Sequence, residues 1–358
     1  MTTADRASQK SPAVTVTVIG AGIVGLWQAL TFARAGFSVR LADRADDPFA
    51  ANASRLAGAM LAPDCEAEAA PVVVRDLGRR GLELWRQTYP GLVAAGSLVV
   101  APDRDRAELE RFARMTERHR RLDRHALSNL EPGLAGRFAE ALHFPEEAHM
   151  TTPEALAFLL DAVRMAGATV HFGAVGAGVA ARARGCPSDS LLIDCRGIEG
   201  ADALSDLRGV RGERIVVRTS DITLARPLRF LHPRHPIYIV PWSGNRFLVG
   251  ATVIESSDSG PASVRSVLEL LGAAYAVAPA FAEAEVVEIA AGVRPAFPDN
   301  VPRVVAGPVA PARVITVNGA YRHGFLLAPV LAEAALAVAA GGAEAHPLVR
   351  RVTREPAA

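Results

Sequence analysis

The 358-residue sequence contains a single lysine, Lys10, and three cysteines, Cys65, Cys186 and Cys195. A lysine so near the N-terminus is a poor candidate for a buried Schiff-base residue, so pyridoxal-phosphate chemistry is not expected. The cysteine spacing fits neither a disulfide framework nor a metal site, and we predict no bound metal. This cysteine usage is typical of a reducing compartment and predicts a cytoplasmic protein.

Strong charge and long uninterrupted apolar runs are also absent. The formal net charge of +1 offers no basic field for nucleic acid. Residues 13–33 form the longest apolar stretch, but three glycines and the pair Trp27-Gln28 favour a strand, turn and helix over a membrane span. We therefore expect neither nucleic acid nor a membrane as a partner. The 50% hydrophobic content permits a homo-oligomer without showing one.

The N-terminal part of the chain carries a dinucleotide-binding pattern. Residues 14–44 predict a strand, a helix and a second strand in succession. The turn after the first strand is GAGIVG, which places Gly20, Gly22 and Gly25 in the G-x-G-x-x-G register. Asp43 ends the second strand, where a ribose-binding acid is expected. A glycine-rich turn without a ligand is the alternative, and the agreement of all four features favours a dinucleotide.

Each residue of this pattern has a physical task. Gly20 makes the tight turn, Gly22 lets a pyrophosphate approach the backbone, and Gly25 lets the helix pack closely. The helix N-terminus stabilises the phosphates through its free N–H groups and dipole. Asp43 would accept hydrogen bonds from ribose hydroxyls and repel a 2′-phosphate.

The remaining patterns predict two interleaved domains of an α/β (α+β overall) chain. Strand and helix patterns occupy both ends of the sequence, whereas residues 209–293 predict mainly strands. We expect a Rossmann-like dinucleotide-binding domain that is interrupted by a substrate domain with a mixed or antiparallel sheet. The predicted bounds are residues 13–95, 150–208 and 294–345 for the first domain, 96–149 and 209–293 for the second, and 1–12 and 346–358 for tails.

A second helix start distinguishes between the two common dinucleotides. The segment NGAYRHGFLLAPVLAE, residues 318–333, predicts a strand that leads into an apolar helix. Parallel strands end at one edge of a sheet, so this junction and the N-terminal glycine turn should meet the same ligand. Free N–H groups at the helix start would stabilise negative charge on a flavin ring, which reduced nicotinamide lacks. The pattern therefore favours FAD over NAD.

Several motifs together resemble the D-amino-acid oxidase superfamily of flavoproteins. The glycine-rich start, AGAMLAPDCE, YIVP…FLVGAT, GVRP and YRHGFLLAP are spread from residue 14 to about residue 345. Within the superfamily, the sequence is most similar to the glycine oxidases of thiamine biosynthesis. The resemblance implies noncovalent FAD, since the covalent-flavin cysteine of sarcosine oxidases has no counterpart. The predicted cofactor-binding residues are Gly20, Gly22, Ile23, Val24, Gly25, Asp43, Arg44, Ser54, Gly58, Ala59, Met60, Val175, His323, Gly324, Phe325 and Leu326.

The resemblance also implies a substrate site. The arginine of the family's G-x-R-P motif pairs with the substrate carboxylate and corresponds to Arg294, and a tyrosine that adds a hydrogen bond corresponds to Tyr238. Glycine oxidases have a further arginine beside the flavin, which corresponds to Arg322. A buried arginine needs an anion, and the one expected for Arg322 is the carboxylate of a small amino acid. An ion pair with an acid such as Asp299 is the alternative.

The implied reaction is the oxidation of glycine, or a small amine such as sarcosine, to the imine and then glyoxylate. Oxygen would become hydrogen peroxide, and a thiazole synthase would consume the imine. A sarcosine oxidase, a D-amino-acid oxidase or a dehydrogenase of the same fold is one alternative. A non-catalytic dinucleotide-binding protein is another.

Two nearby features complete the expectations for the site. Relatives have a glycine where this chain has Ala59, so the contacts around this position are expected to differ. Asp64 and Glu66, in the segment that follows, are expected to be exposed to solvent.

Overall fold

The computed structural model describes residues 14–50, 52–173, 190–308, 313–342 and 346–351. Within these ranges the strands form two large sheets and a small two-stranded ribbon, β3 (Met60–Leu61) with β7 (Ala148–His149). None of the described helices combines the length and the apolar character that crossing a membrane requires.

The first sheet contains the N-terminal glycine turn. Its strands in the described ranges are β1 (Thr15–Ile19), β2 (Ser38–Ala42), β8 (Thr169–His171), β9 (Leu191–Asp194), β16 (Arg303–Pro308), β17 (Arg313–Asn318) and β18 (Val349–Arg351). Their order is β18-β16-β17-β9-β1-β2-β8. The neighbours β17, β9, β1 and β2 are parallel, so the turns after β1 and β17 lie at the same edge.

Helices cover this sheet and bury its apolar side chains. The described helices are α1 (Ile23–Arg34), α2 (Pro63–Glu66), α3 (Val72–Thr88), α4 (Arg106–Met115), α5 (Arg124–Leu130), α6 (Thr152–Met165), α7 (Val264–Val277) and α8 (Gly324–Ala339). Helix α1 packs against α6 and α8, and α3 packs against α8. Because α8 is apolar on nearly all sides, it is buried along most of its length.

The second sheet is built mainly from antiparallel pairs. Its strands in the described ranges are β4 (Ser97–Val100), β5 (Arg120–Asp123), β6 (Glu140–Phe144), β10 (Arg208–Arg218), β11 (Leu228–Phe230), β12 (Ile237–Trp242), β13 (Arg246–Gly250), β14 (Ile254–Glu255) and β15 (Glu285–Ala296). The order is β14-β10-β13-β12-β11-β4-β6-β5, and β15 also pairs with β10. A separate apolar core lies between this sheet and α7.

The predicted architecture is confirmed: a sheet of Rossmann type is combined with a mostly antiparallel sheet. The exact domain bounds stay a prediction. One predicted tail contains structure, because Val349–Arg351 add β18 in parallel to β16 and bury Leu348. Residues 103–122, which predict one charged helix from their sequence, form a turn, α4 and β5. The break follows Met115, where the extended Thr116 and the left-handed Arg118 leave helical geometry.

Candidate active site

A cavity of about 980 Å³ is lined by residues from both large sheets. This volume lies at the upper end of the range of roughly 300–1,000 Å³ for pockets that enclose organic ligands. The turn after β1 and the start of α8 both line it. The prediction that these two junctions meet one ligand site is therefore supported by their common cavity.

The glycines of the first turn allow the backbone to pack closely. Gly20 has a φ of +97°, and a Cβ there would lie 2.5 Å from the carbonyl oxygen of Cys195. A Cβ on Gly25 would overlap the Gly20 carbonyl oxygen, so Gly25 sets the distance between α1 and the turn. Gly22 lines the cavity, which leaves the helix start open to a ligand.

Two polar side chains brace this turn and line the cavity. The Asp43 carboxylate accepts hydrogen bonds from the N–H groups of Ala21, at 2.6 Å, and Ala45, at 2.9 Å. The Ser54 hydroxyl oxygen accepts from the N–H of Ile23 at 2.9 Å. A carboxylate and a hydroxyl beside a helix N-terminus fit the ribose and pyrophosphate of a dinucleotide.

The segment around Gly58 joins the turn to the second sheet. Gly58, Ala59 and Met60 line the cavity, and a Cβ on Gly58 would lie 2.9 Å from the Tyr238 ring. Ala59 has a φ of +51°, a left-handed conformation that favours glycine. This chain has alanine where the family has glycine, yet its backbone at this position keeps a conformation that suits glycine. Arg44 lines the cavity too and forms an exposed ion pair with Glu199.

The start of α8 presents backbone N–H groups to the cavity. Gly324 and Phe325 line it, and no side chain caps the helix at His323. These orphan N–H groups and the helix dipole favour negative charge on a ligand. The Trp85 indole N–H donates to the Phe325 carbonyl at 2.6 Å, which fixes the position of the first turn.

Three of the predicted cofactor residues that the structure describes, Gly25, His323 and Leu326, do not line the cavity. Gly25 acts through packing, and Leu326 lies against the backbone of Gly78. His323 is 2% exposed, and burial lowers the pKa of its imidazole to about 4, so it is neutral at physiological pH. Val175 lies outside the described residues.

The register of the second sheet brings together Tyr238, which the sequence predicted, and Arg214, which it did not. Arg214 of β10 lies opposite Gly250 of β13, which in turn lies opposite Tyr238 of β12. Opposed residues in antiparallel strands share a face, and the Tyr238 ring lies over Gly250, where a Cβ would be 3.1 Å away. Burial raises the pKa of the Tyr238 phenol, so the hydroxyl remains a neutral donor.

Arg294 reaches the same face from β15. The pairs Gly212–Gly292 and Val210–Arg294 lie along β10 and β15, and a Cβ on Gly212 would overlap the Arg294 guanidinium. Glycine at 212 is therefore required for this placement. Nη1 of Arg294 donates to the Thr252 carbonyl at 3.2 Å. None of the described carboxylates forms an ion pair with Arg294, which leaves its charge for a ligand.

Arg322 is paired within the chain. Its Nη2 lies 2.8 Å from Glu66 Oε2, and Nδ1 of His323 lies 3.6 Å from the same oxygen. Burial alone would raise the pKa of Glu66, but Arg322, His323 and Arg229 together bring it to about 2. Glu66 is therefore ionised at neutral pH and neutralises Arg322 at the cavity wall.

The expectations for the nearby acids were wrong. Arg322 follows the alternative, an ion pair with an acid of the chain, but that acid is Glu66, and Asp299 instead faces Arg303 at 3.4 Å. Asp64 is 2% exposed and pairs with Arg79, with 3.0 Å between Oδ1 and Nε. Both Asp64 and Glu66 belong to α2, a single turn packed on α3, and a four-residue helix has no periodicity that reveals its buried face.

Sequence reasoning also missed Arg214. It is 2% exposed and lines the cavity beside Tyr238. A signal was present in RGERIVVR, because Gly212 and Arg214 alternate with Arg211 and Glu213 in a strand period. An arginine followed by Ile-Val-Val predicts a buried charge, and such a charge needs an anion.

Next to α2 lies a buried acid, Glu147, and from its titration we expect the free energy of unfolding to depend on pH. Glu147 is fully buried, its Oε1 accepts from the Cys65 N–H at 2.7 Å, and the Ser97 hydroxyl donates to its Oε2. Burial raises the pKa of Glu147 to about 7. The native state then binds the proton more tightly than the unfolded chain, so this contribution to stability is present below about pH 4.5 and is lost as pH rises to about 7.

Glu147→Gln is expected to remove this loss, which amounts to about 3 kcal/mol of unfolding free energy between pH 4.5 and 8. Denaturant unfolding at several pH values measures it. The neighbouring exposed Glu146→Gln serves as the control and should keep the wild-type slope. An unchanged slope in Glu147→Gln would show that Glu147 is not the titrating group.

A dinucleotide turn and a cationic sheet face on one cavity define a redox enzyme of the flavin-binding class. The chain matches the family model described as FAD dependent oxidoreductase over residues 15–337 and belongs to that family. It is an FAD-dependent oxidoreductase, and the prediction of FAD is confirmed.

Comparisons with known proteins agree with this assignment. A Rhizobium etli protein named "Putative thiamine biosynthesis oxidoreductase ThiO" is 50% identical over 318 residues, which is 88% of this chain and 94% of that protein. The glycine oxidase of Geobacillus kaustophilus is 27% identical over 88% of this chain and 90% of its own. A crystal structure of that enzyme has a TM-score of 0.77 and covers 96% of this chain and 99% of its own. A Trichormus variabilis protein named "Bifunctional protein ThiO/ThiG" is 25% identical over 88% of this chain and 51% of its own.

Proposed function

We propose that this enzyme oxidises glycine, and sarcosine as a second small amine, with O2 as the electron acceptor. The observation that carries the proposal is the Arg294 guanidinium over Gly212, which no described carboxylate neutralises, on the cavity face that also holds Tyr238. The same cavity contains the dinucleotide turn at Gly20. The similarity to a glycine oxidase and to a ThiO protein supports the choice of substrate.

The bound FAD supplies two-electron oxidation of the carbon–nitrogen bond. Arg294 would hold the substrate carboxylate through its planar pair of donors, and the neutral Tyr238 hydroxyl would donate to the same group. This pairing fixes the direction of the substrate Cα–H bond, and orientation accounts for much of the rate that such a site provides. The substrate amine must be neutral, so activity should rise towards alkaline pH.

The product chemistry suggests a place in thiamine biosynthesis. The imine formed from glycine is hydrolysed to glyoxylate and ammonia unless another enzyme uses it. The name of the Trichormus protein joins ThiO with ThiG in one chain. We propose that a thiazole synthase consumes the imine made here.

Arg322 is proposed to limit substrate size. In Arg322→Ala, the ratio of kcat/KM for D-alanine to that for glycine is expected to rise about tenfold, because the pocket gains room for a side chain. Steady-state kinetics with both substrates measure the ratio. The double variant Arg322→Ala/Glu66→Gln is the matched control, since it also removes the acid that Arg322 neutralises. If neither variant changes the ratio, Arg322 does not determine size selection.

A substrate panel with and without oxygen tests the proposal. Glycine and sarcosine should give the corresponding carbonyl product and stoichiometric hydrogen peroxide in air. Equal turnover of glycine with an artificial acceptor, but none with oxygen, would identify a dehydrogenase. Turnover of D-proline or D-alanine in preference to glycine would identify a D-amino-acid oxidase.

A further inference from the structure

We propose that Arg214 forms a second anion subsite in the substrate cavity, so that the enzyme also accepts small amines with two carboxylates. The proposal rests on the proposed function only in placing the first carboxylate at Arg294. The chemical class is a short dicarboxylate, in which one carboxylate binds Arg294 and the other binds Arg214.

Arg214 has hydrogen-bond donors that lack acceptors among the described residues. Its side chain is 3% exposed, and Nη2 lies 2.9 Å from Glu288 Oε2. Nε and Nη1 are both buried and have no hydrogen-bond partner among the described residues. Because Arg214 lines the cavity, an anion in the cavity could accept from these two groups. Unmet donors of a buried charge are costly, which favours a ligand that satisfies them.

Glu288 is shared by two arginines and neutralises only one of them. Its other oxygen, Oε1, lies 2.7 Å from Nη2 of Arg55. One carboxylate is therefore shared by two guanidinium groups, and the cluster keeps one positive charge. Burial lowers the pKa of Arg214, although a guanidinium stays protonated at physiological pH. Arg294 has no ion pair with a described carboxylate either, so this face of the sheet carries two positive charges that no described acid compensates, whereas a glycine carboxylate neutralises one.

Arg214, Arg294 and Tyr238 lie close together on one face of the second sheet. Arg214 follows Gly212, over which the Arg294 guanidinium lies, by two residues on the same strand face. Two residues of a strand span about 6.6 Å. Gly250, over which the Tyr238 ring lies, is one strand away, or about 5 Å. These are spacings between backbone positions, and they place Arg214 and the Arg294 guanidinium on one face of neighbouring strands, where a single short dicarboxylate would meet both.

The test compares succinate with succinamate, its neutral half-amide of nearly the same shape. Neither can be oxidised as an amine, and binding to the FAD-loaded enzyme is followed through changes in the flavin absorption spectrum at constant ionic strength. Wild type is expected to bind succinate about ten- to hundredfold more tightly than succinamate, as for a hydrogen bond to a charged group. Arg214→Met should abolish this preference and leave the affinity for succinamate within about twofold.

Two controls keep the outcome specific. Arg265→Met removes an arginine from the surface of α7, where its side chain is 74% exposed, and should retain the preference for succinate. Arg214→Lys keeps the charge but offers fewer fixed donors, so it should show an intermediate preference and serves if Arg214→Met does not fold. Equal binding of the two ligands by wild type overturns the proposal. So does an equal loss of both ligands in Arg214→Met, which would assign Arg214 a structural role.

The subsite and the proposed function can fail separately. An enzyme that prefers succinate through Arg214 but does not oxidise glycine keeps the subsite and loses the proposed function. An enzyme that oxidises glycine but binds succinate and succinamate equally keeps the function and loses the subsite.

Discussion

Arg294→Met is expected to lower kcat/KM for glycine by about hundredfold to thousandfold. The substitution removes the guanidinium that no described carboxylate neutralises, so the substrate carboxylate would enter the cavity without its cation. Losing one partner of a buried charge pair costs about 2–5 kcal/mol. Steady-state oxygen consumption with glycine measures the effect, and FAD content should stay near that of wild type because Arg294 belongs to the substrate sheet.

The exposed Arg265→Met is the matched control, since it removes the same charge from the surface of α7. It should leave kcat/KM unchanged. A loss of less than about fivefold in Arg294→Met would contradict a direct contact with the substrate carboxylate. A parallel loss of FAD would instead place the effect in folding or cofactor binding.

Gly25→Ala is expected to lower the free energy of unfolding by about 3–5 kcal/mol. The new methyl group would overlap the Gly20 carbonyl oxygen, and both partners belong to backbone that cannot rotate away. Helix α1 must then move from the turn, which also shifts the N–H groups at its start. The purified variant should therefore retain less FAD than wild type.

Gly272→Ala provides the control because a Cβ there meets nothing within 4 Å in the middle of α7. Alanine is the better helix former, so this variant is expected to gain about 0.5–1 kcal/mol. Denaturant unfolding of both variants, with FAD content by absorbance, gives the comparison. Equal stability of Gly25→Ala and wild type would show that α1 does not need the close approach.

The dinucleotide turn could be predicted because its information is local. Gly20, Gly22 and Gly25 specify the turn and the helix approach within six residues, and Asp43 comes directly after the adjacent strand. The start of α8 could be predicted equally well, since a strand, a glycine and an apolar run are contiguous in the sequence. Such segments carry most of their structural constraint in their own sequence.

The charge pairs of the site could not be predicted in this way. Glu66 and Arg322 are 256 positions apart in the sequence, and only the tertiary fold brings their side chains within 2.8 Å. Arg214 finds Glu288 through the pairing of β10 with β15. Short-range patterns show that a charge is buried, but the partner of that charge depends on the packing of distant elements.

The left-handed backbone conformation of Ala59 illustrates a different limit on prediction from the sequence. Its φ of +51° is one that the amino-acid type does not favour. The resemblance to the family identified the position as unusual, whereas the backbone conformation itself came only from the structure. The edge strand β18 is similar, because three residues near a chain end have too little periodicity to predict a strand.

The most direct test of the central claim is the visible spectrum of the purified enzyme during anaerobic addition of glycine. We expect a yellow protein whose flavin bands bleach with glycine and return on admission of air, with one hydrogen peroxide formed for each glycine oxidised. Bands that stay unchanged with glycine, in a protein that retains its FAD, would contradict glycine as the substrate.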